Sequence, residues 1–367
     1  MMKNRHLYVH IPFCNNICYY CDFTRCRYNE GLVNQYLDSL HFELLHRVNN
    51  FDLDTIYIGG GTPSSLSNDQ LTRLLMMLKP YAVNTIEYTF EANPDSLTLD
   101  KIMILKKFGV NRISLGVQST NNRLLKLVNR YHDLNMVKEV IDNLIDNGIS
   151  NISIDLIYSL PTQTMDEWKE TIKEVLLLKI KHVSLYSLTI EENSVFNKKG
   201  FSNLDSETET NMYFYAVETL NKANINQYEI ANFSYEGFES KHNIGYWKYD
   251  DFYGVGLGAS CKLNDNRFDN TTNFMNYFKH DFINIDYKLS KKDNMFEMIM
   301  MSLRMKSGLD KKLFKYRYHE DVDKIFSEAI NINVNRENLI NSSDNLKCTA
   351  KGLAILNTIL EDFIEVS

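Results

Sequence analysis

The order of segments along these 367 residues predicts an α/β fold: a partial (β/α)6 TIM-like barrel followed by a smaller, mainly helical C-terminal domain. Two observations carry this prediction. Between residues 7 and 188 a short β-rich run ends in small or polar residues, an amphipathic helical stretch follows, and the phrase recurs about six times. After about Glu192 the rhythm stops. Strands alternating with helices imply right-handed crossovers and a parallel sheet.

Taken in order, the strands are expected at 7–11, 55–58, 86–91, 112–117, 151–156 and 182–188, with helical spacing in intervening segments such as 68–78, 99–108, 135–147 and 166–179. Four of the five prolines, Pro12, Pro63, Pro94 and Pro161, directly follow expected strands, where a fixed φ shapes the turn, and Pro80 follows a helix. In a barrel the chemistry gathers in the loops at the carboxyl ends of the strands. Beyond the barrel, an aromatic, Asn-rich stretch at 228–260 precedes a helical tail at 294–367, so the domains are expected at 1–230 and 231–367. Asn, Ile and Lys are spread throughout, which marks a compositional bias and not a low-complexity tract.

With 44% apolar and 24% charged residues the chain is a folded globular protein. Forty Lys and Arg against forty-seven Asp and Glu leave a charge of −7, so no chain-wide basic surface exists for nucleic acid. No run approaches the roughly 18 apolar residues of a membrane span, and residues 1–10 lack the apolar stretch of a signal peptide. A cytoplasmic location is expected. Six cysteines, four of them between Cys14 and Cys26, suit a metal or redox centre better than a disulfide framework.

Cys14, Cys18 and Cys21 form C-x3-C-x2-C directly after the first strand. Thiolates in this pattern favour zinc or an iron–sulfur cluster. Zinc asks for a fourth ligand, which Cys26 can supply; a four-iron cluster on three cysteines leaves one iron open to a small molecule. Other polar residues stand at strand ends. Gly59-Gly60-Gly61-Thr62-Pro63 follows the second strand, where side-chain-free backbone either turns tightly or approaches a ligand. Glu91, Gln118 and Asp155 close the next three, and each taken singly is as good a loop cap as a ligand. Gly254–Ala259 lacks the strand-then-helix context of a dinucleotide fingerprint, so close backbone packing is its expected role. Cys261 and Cys348 are isolated and read as buried structural thiols.

The run Tyr8-Val9-His10-Ile11-Pro12-Phe13-Cys14, then Cys18 and Tyr20-Cys21-Asp22-Phe23, resembles the signature of radical S-adenosylmethionine (SAM) enzymes. Later motifs narrow the resemblance to the oxygen-independent coproporphyrinogen oxidase family and its HemW-type haem chaperone branch, over nearly the whole chain. It implies a 4Fe-4S cluster on Cys14, Cys18 and Cys21, with SAM chelating the open iron and cleavable to a deoxyadenosyl radical. It also implies that Gly61 and Thr62 meet the SAM amino group, that Glu91, Gln118 and Asp155 contact SAM, and that Arg130 pairs with its carboxylate. Tyr8 and Tyr20 match positions near the cluster, with ordinary core packing as the alternative.

Tyr228–Phe233 and His242-Asn243-Ile244-Gly245-Tyr246-Trp247 resemble stretches of the HemW branch, which implies His242 as an axial haem ligand with Tyr246 and Trp247 stacked on the porphyrin. The alternative is a histidine bonded inside a domain junction. Segments 295–304 and 347–353 resemble the family's C-terminal helical domain, of winged-helix flavour, although acidic Glu361, Asp362 and Glu365 speak against DNA.

Phe23 separates two functions. Oxidases of the family carry a further cysteine there, so the resemblance implies a monomeric or dimeric carrier that binds haem and passes it to a respiratory acceptor, itself soluble or membrane-associated. The alternative is a radical enzyme that decarboxylates a porphyrinogen, or methylates and opens haem.

Overall fold

A computed structural model describes residues 6–365. Residues 1–5, which belong to the segment without a signal-like apolar stretch, and the last two residues of the expected helical tail lie outside the described residues.

The strands are β1 (His6–Ile11), β2 (Phe13–Cys14), β3 (Cys26–Arg27), β4 (Thr55–Gly60), β5 (Glu87–Ala92), β6 (Arg112–Gln118), β7 (Asn151–Tyr158) and β8 (His182–Ser187), followed by β9 (Asn226–Gln227), β10 (Asn232–Ser234), β11 (Phe252–Val255), β12 (Ser260–Leu263), β13 (Asn266–Asn270) and β14 (Ile283–Lys288). β1 and β4–β8 are the six expected strands, and they pair in parallel in chain order. β6 is buried along its whole length, as a central parallel strand covered on both faces must be.

The helices between them follow the same local logic. Asn68–Leu78 starts on a Ser67–Gln70 capping box and buries Leu71, Leu74, Leu75 and Leu78, one stripe of a 3.6-residue period. Met165–Leu176 starts on a Thr164–Glu167 box and buries Trp168, Thr171, Ile172 and Val175, with Trp168 Nε1 donating to Met212 O at 2.8 Å.

The sheet is open and larger than six strands. Its order is β14-β13-β12-β11-β1-β4-β5-β6-β7-β8-β10-β9, without closure of the two ends into a barrel. β11 lies parallel beside β1, and β12, β13 and β14 continue antiparallel from it. This extension is locked to the Glu30–Arg47 helix through Glu43, a fully buried carboxylate. It accepts from Gly256 N at 2.8 Å, Asn270 Nδ2 at 2.7 Å, Tyr277 Oη at 2.7 Å and Arg47 Nη1 at 2.5 Å.

The glycines at 254–259 allow this packing. A Cβ on Gly254 would sit 1.7 Å from Ser260 O, and one on Gly256, at φ +102°, would sit 2.5 Å from His10 O. β11 turns into the β12 hairpin and not into a helix, so the segment is a close-packing device.

A second core gathers Tyr249 with residues 295–363, built from helices including Lys291–Ser302, Lys311–Tyr318, Ser327–Asn335 and Leu356–Glu365 around a small sheet of β15 (Leu309–Asp310), β16 (Leu339–Asn341) and β17 (Asn345–Cys348). The chain beyond residue 230 thus serves both cores: its strands as far as Lys288 complete the large sheet, and the helical unit follows. The boundary expected at 230/231 falls ahead of strands whose partner β1 lies at the other end of the chain.

Candidate functional site

The loop of cysteines is pinned at both ends by a short parallel pairing of β2 with β3, Phe13 opposite Cys26 and Cys14 opposite Arg27. Cys26 N donates to Pro12 O at 2.7 Å and Tyr28 N to Cys14 O at 2.9 Å. Within the loop the Arg25 guanidinium donates to Phe23 O at 3.0 Å and to Cys21 O. Cys14 is 6% exposed and accepts from Thr62 Oγ1 at 3.4 Å.

Burial pushes the Cys14 thiol up to about 11, and burial raises that of Cys21 as well, against the opposing pull of Arg25. Thiols so placed ionise readily only when a cation arrives to pair with them, which fits iron binding. Among the described residues no three His, Cys, Asp or Glu side chains converge on a single ion. A four-iron cluster instead asks each thiol for its own iron corner.

Cys14, Cys18 and Cys21 line one cavity of about 460 Å³ together with Tyr20, Gly61, Thr62, Glu91, Gln118, Arg130 and Asp155. Ten of the twelve residues expected at the site are thereby brought to the carboxyl ends of β1 and β4–β7.

The glycine run is explained side chain by side chain. A Cβ would lie 2.9 Å from the Glu91 carboxylate at Gly59, 2.8 Å from the His10 ring at Gly60 (φ +118°), and 2.9 Å from Cys14 Sγ at Gly61. Gln118 sits at φ 65°, where the β6–β7 register shifts, so a local bulge turns its side chain at the strand end.

Electrostatics follow from burial. Glu91 accepts from Tyr57 Oη at 2.6 Å and Gly60 N at 3.1 Å, yet desolvation outweighs these bonds and lifts its pKa to about 7. Asp155, which accepts from Ser114 Oγ at 3.1 Å, is raised for the same reason, with Arg112 opposing the rise. Arg130 donates to Tyr20 Oη at 3.2 Å, while its buried Nε and Nη1 have no protein partner. A guanidinium with two spare donors facing a cavity fits a carboxylate-bearing ligand, and the raised Glu91 and Asp155 fit a ligand that brings its own positive charge.

Tyr8 and His242 line a neighbouring cavity of about 720 Å³, whose wall is largely aromatic: Tyr57, Tyr186, Tyr246, Trp247, Tyr249 and Phe252 join them, with His10. His242 is 1% exposed, and burial holds its pKa well below the usual imidazole range, so the ring is neutral. Nδ1 lies 2.7 Å from Thr55 Oγ1, Nε2 lies 2.8 Å from Tyr246 Oη, and the ring stacks on Tyr57 with centroids 5.1 Å apart. Both nitrogens are therefore engaged, and iron ligation requires Nε2 to release Tyr246. Cys26 lies outside the first cavity, half-buried against the main core and close enough to Tyr36 to raise that phenol's pKa.

Sequence reasoning did not reach several residues. Asn93 donates to Thr62 Oγ1 at 3.3 Å in the first cavity; its place just before Pro94 at a strand end was the available signal. Glu87, buried on β5, accepts from Lys241 N at 2.8 Å and His242 N at 2.9 Å, and so caps the Lys241–Trp247 helix. Nothing local links Glu87 to a helix that lies far along the chain.

Comparison with known proteins agrees with this site. Residues 8–175 match the Radical SAM superfamily and residues 289–355 the HemN C-terminal domain. The chain is 39% identical over 377 residues to "Heme chaperone HemW" of Lactococcus lactis subsp. lactis (strain IL1403), covering 99% of this chain and 98% of that one. Identity to "Heme chaperone HemW" of Bacillus subtilis (strain 168) is 35% over 373 residues, covering 97% and 98%. The solved coproporphyrinogen III oxidase HemN of Escherichia coli shares the fold, with a TM-score of 0.86 over 98% of this chain and 90% of that one at 22% identity. This chain belongs to the HemW family within the radical SAM superfamily.

Proposed function

We propose that the protein is a haem carrier that binds haem and transfers it to a haem-accepting protein, with a 4Fe-4S cluster on Cys14, Cys18 and Cys21 and SAM beside it. The observation that carries this reading is Phe23: a phenylalanine, with no sulfur, stands on the wall of both cavities at the position where the oxidases of the resemblance carry cysteine.

In the first cavity, when bound, the cluster supplies the electron for reductive cleavage of SAM. The chain's own residues do the rest. Arg130 offers Nε and Nη1 to the SAM carboxylate, Glu91 and Asp155 take its positively charged groups, and the Gly59–Gly61 backbone leaves room for the methionine end. Thr62, Gln118 and Tyr20 complete the polar wall.

In the second cavity the aromatic side chains suit a porphyrin plane, and His242, already neutral, is the axial-ligand candidate once Nε2 leaves Tyr246. Tyr8 lines this cavity and reaches His10 Nδ1 at 2.9 Å. Among the described residues no helix is long and apolar enough to cross a membrane. We place the carrier in the cytoplasm as a monomer or homodimer that meets a respiratory acceptor, which can itself be membrane-associated.

An anaerobic haem titration of cluster-reconstituted protein tests this, followed by addition of SAM and reductant and extraction of the pigment. Saturation near one haem per chain with the pigment intact supports the carrier. A chemically altered tetrapyrrole assigns the protein instead to radical chemistry on that substrate.

A further inference from the structure

Asp22, Phe23 and Tyr186 line both cavities, so the polar chamber beside the cysteines and the aromatic chamber beside His242 share one wall. Phe23 is the wall's apolar member, and it is 65% exposed. Its backbone is held firmly: Arg25 Nη1 donates to Phe23 O at 3.0 Å, Nη2 donates to Cys21 O, and the β2–β3 pairing closes the loop on either side. An aromatic ring presented on so fixed a backbone, with no apolar neighbours covering most of its surface, gains its burial only when ligands cover it.

We propose that Phe23 is a partition: its ring lets the two chambers hold SAM and a tetrapyrrole at the same time while keeping the two ligands out of contact. Phe23 is then a specificity-determining residue, since separation of the pigment from the sulfonium is what allows the pigment to be returned unchanged. Truncating the ring opens the shared wall, so that each ligand can extend into the space of the other. The inference rests on the carrier reading above.

The test uses the full chain, anaerobic and cluster-reconstituted, with brown absorbance confirming that each variant retains its cluster. Haem Kd is measured by Soret titration with and without saturating SAM for wild type, Phe23→Ala and Phe23→Trp. Wild type and Phe23→Trp should bind haem with a Kd that SAM changes by less than about twofold, whereas in Phe23→Ala saturating SAM should weaken haem binding about tenfold, within the usual range of coupling between sites.

Independent binding in Phe23→Ala, or mutual exclusion in wild type, overturns the partition while leaving the carrier in place. Wild-type protein that takes up SAM but no haem in either condition overturns the carrier reading, and the partition with it.

Discussion

Tyr57 Oη donates to Glu91 Oε1 at 2.6 Å, and the same Tyr57 ring stacks on His242 at 5.1 Å, so one β4 side chain touches the determinants of both cavities. The arrangement is a consequence of the pleat. Thr55 and Tyr57 are two residues apart on β4 and share a face, one bonding His242 and the other stacking on it. Tyr57 reaches Glu91 because β5 is the adjacent strand.

Glu91 should leave a signature in stability. Its pKa rises from an ordinary 4.5 to about 7 in the fold, chiefly through burial, so across that interval the folded state holds more protons than the unfolded chain. Its contribution to stability therefore falls as pH rises through the window and is level above it. Glu91→Gln removes the titration. The melting-temperature advantage of Glu91→Gln over wild type should grow from pH 4.5 to pH 7, and a difference independent of pH would refute the assignment.

The cysteines should separate cleanly. Cys18→Ser should abolish the brown absorbance and the bound iron, because a hydroxyl is a poor iron ligand, whereas Cys26→Ser should leave iron and sulfide content unchanged, its side chain being packed outside the cavity. Iron and sulfide analysis of both variants is the check. Loss of the metal in Cys26→Ser would return this residue to the ligand set.

Arg130 carries two buried donors without a protein partner. Arg130→Met should weaken SAM binding by roughly 10- to 100-fold, the effect of charge-assisted bonds worth about 1.5–3 kcal/mol. Thermal stability should hold steady or rise, since an uncompensated charge is removed. Isothermal titration and thermal unfolding read the two effects separately; lost stability with unchanged affinity would make Arg130 a structural residue.

Glu43 ties the β11–β13 extension to the first helix through four donors. Glu43→Ala leaves Gly256 N, Asn270 and Tyr277 without their acceptor, and unfolding free energy should drop by about 3–5 kcal/mol in denaturant titrations.

His242 and Tyr246 form a paired test. Tyr246→Phe frees Nε2 of a neutral imidazole and should tighten haem binding, while His242→Ala should shift the Soret band. An unchanged spectrum in His242→Ala would leave the ring its observed role, bridging Thr55 and Tyr246.

The alternating βα rhythm, the prolines at strand ends and the C-x3-C-x2-C loop were legible because each depends on a few neighbouring residues: side-chain periodicity, caps and turn chemistry act within one or two turns of chain. Glu91, Gln118 and Asp155 could be grouped from the order of strands alone, since parallel strands bring their carboxyl ends to one side. Tertiary structure alone decided that β11 pairs with β1, that Glu87 caps the helix bearing His242, that both nitrogens of His242 are engaged, that Cys26 packs outside the cavity, and that Phe23 faces two chambers. These relationships join segments from opposite ends of the chain, where no local pattern of residues specifies the partner and the contact exists only once the whole sheet has assembled.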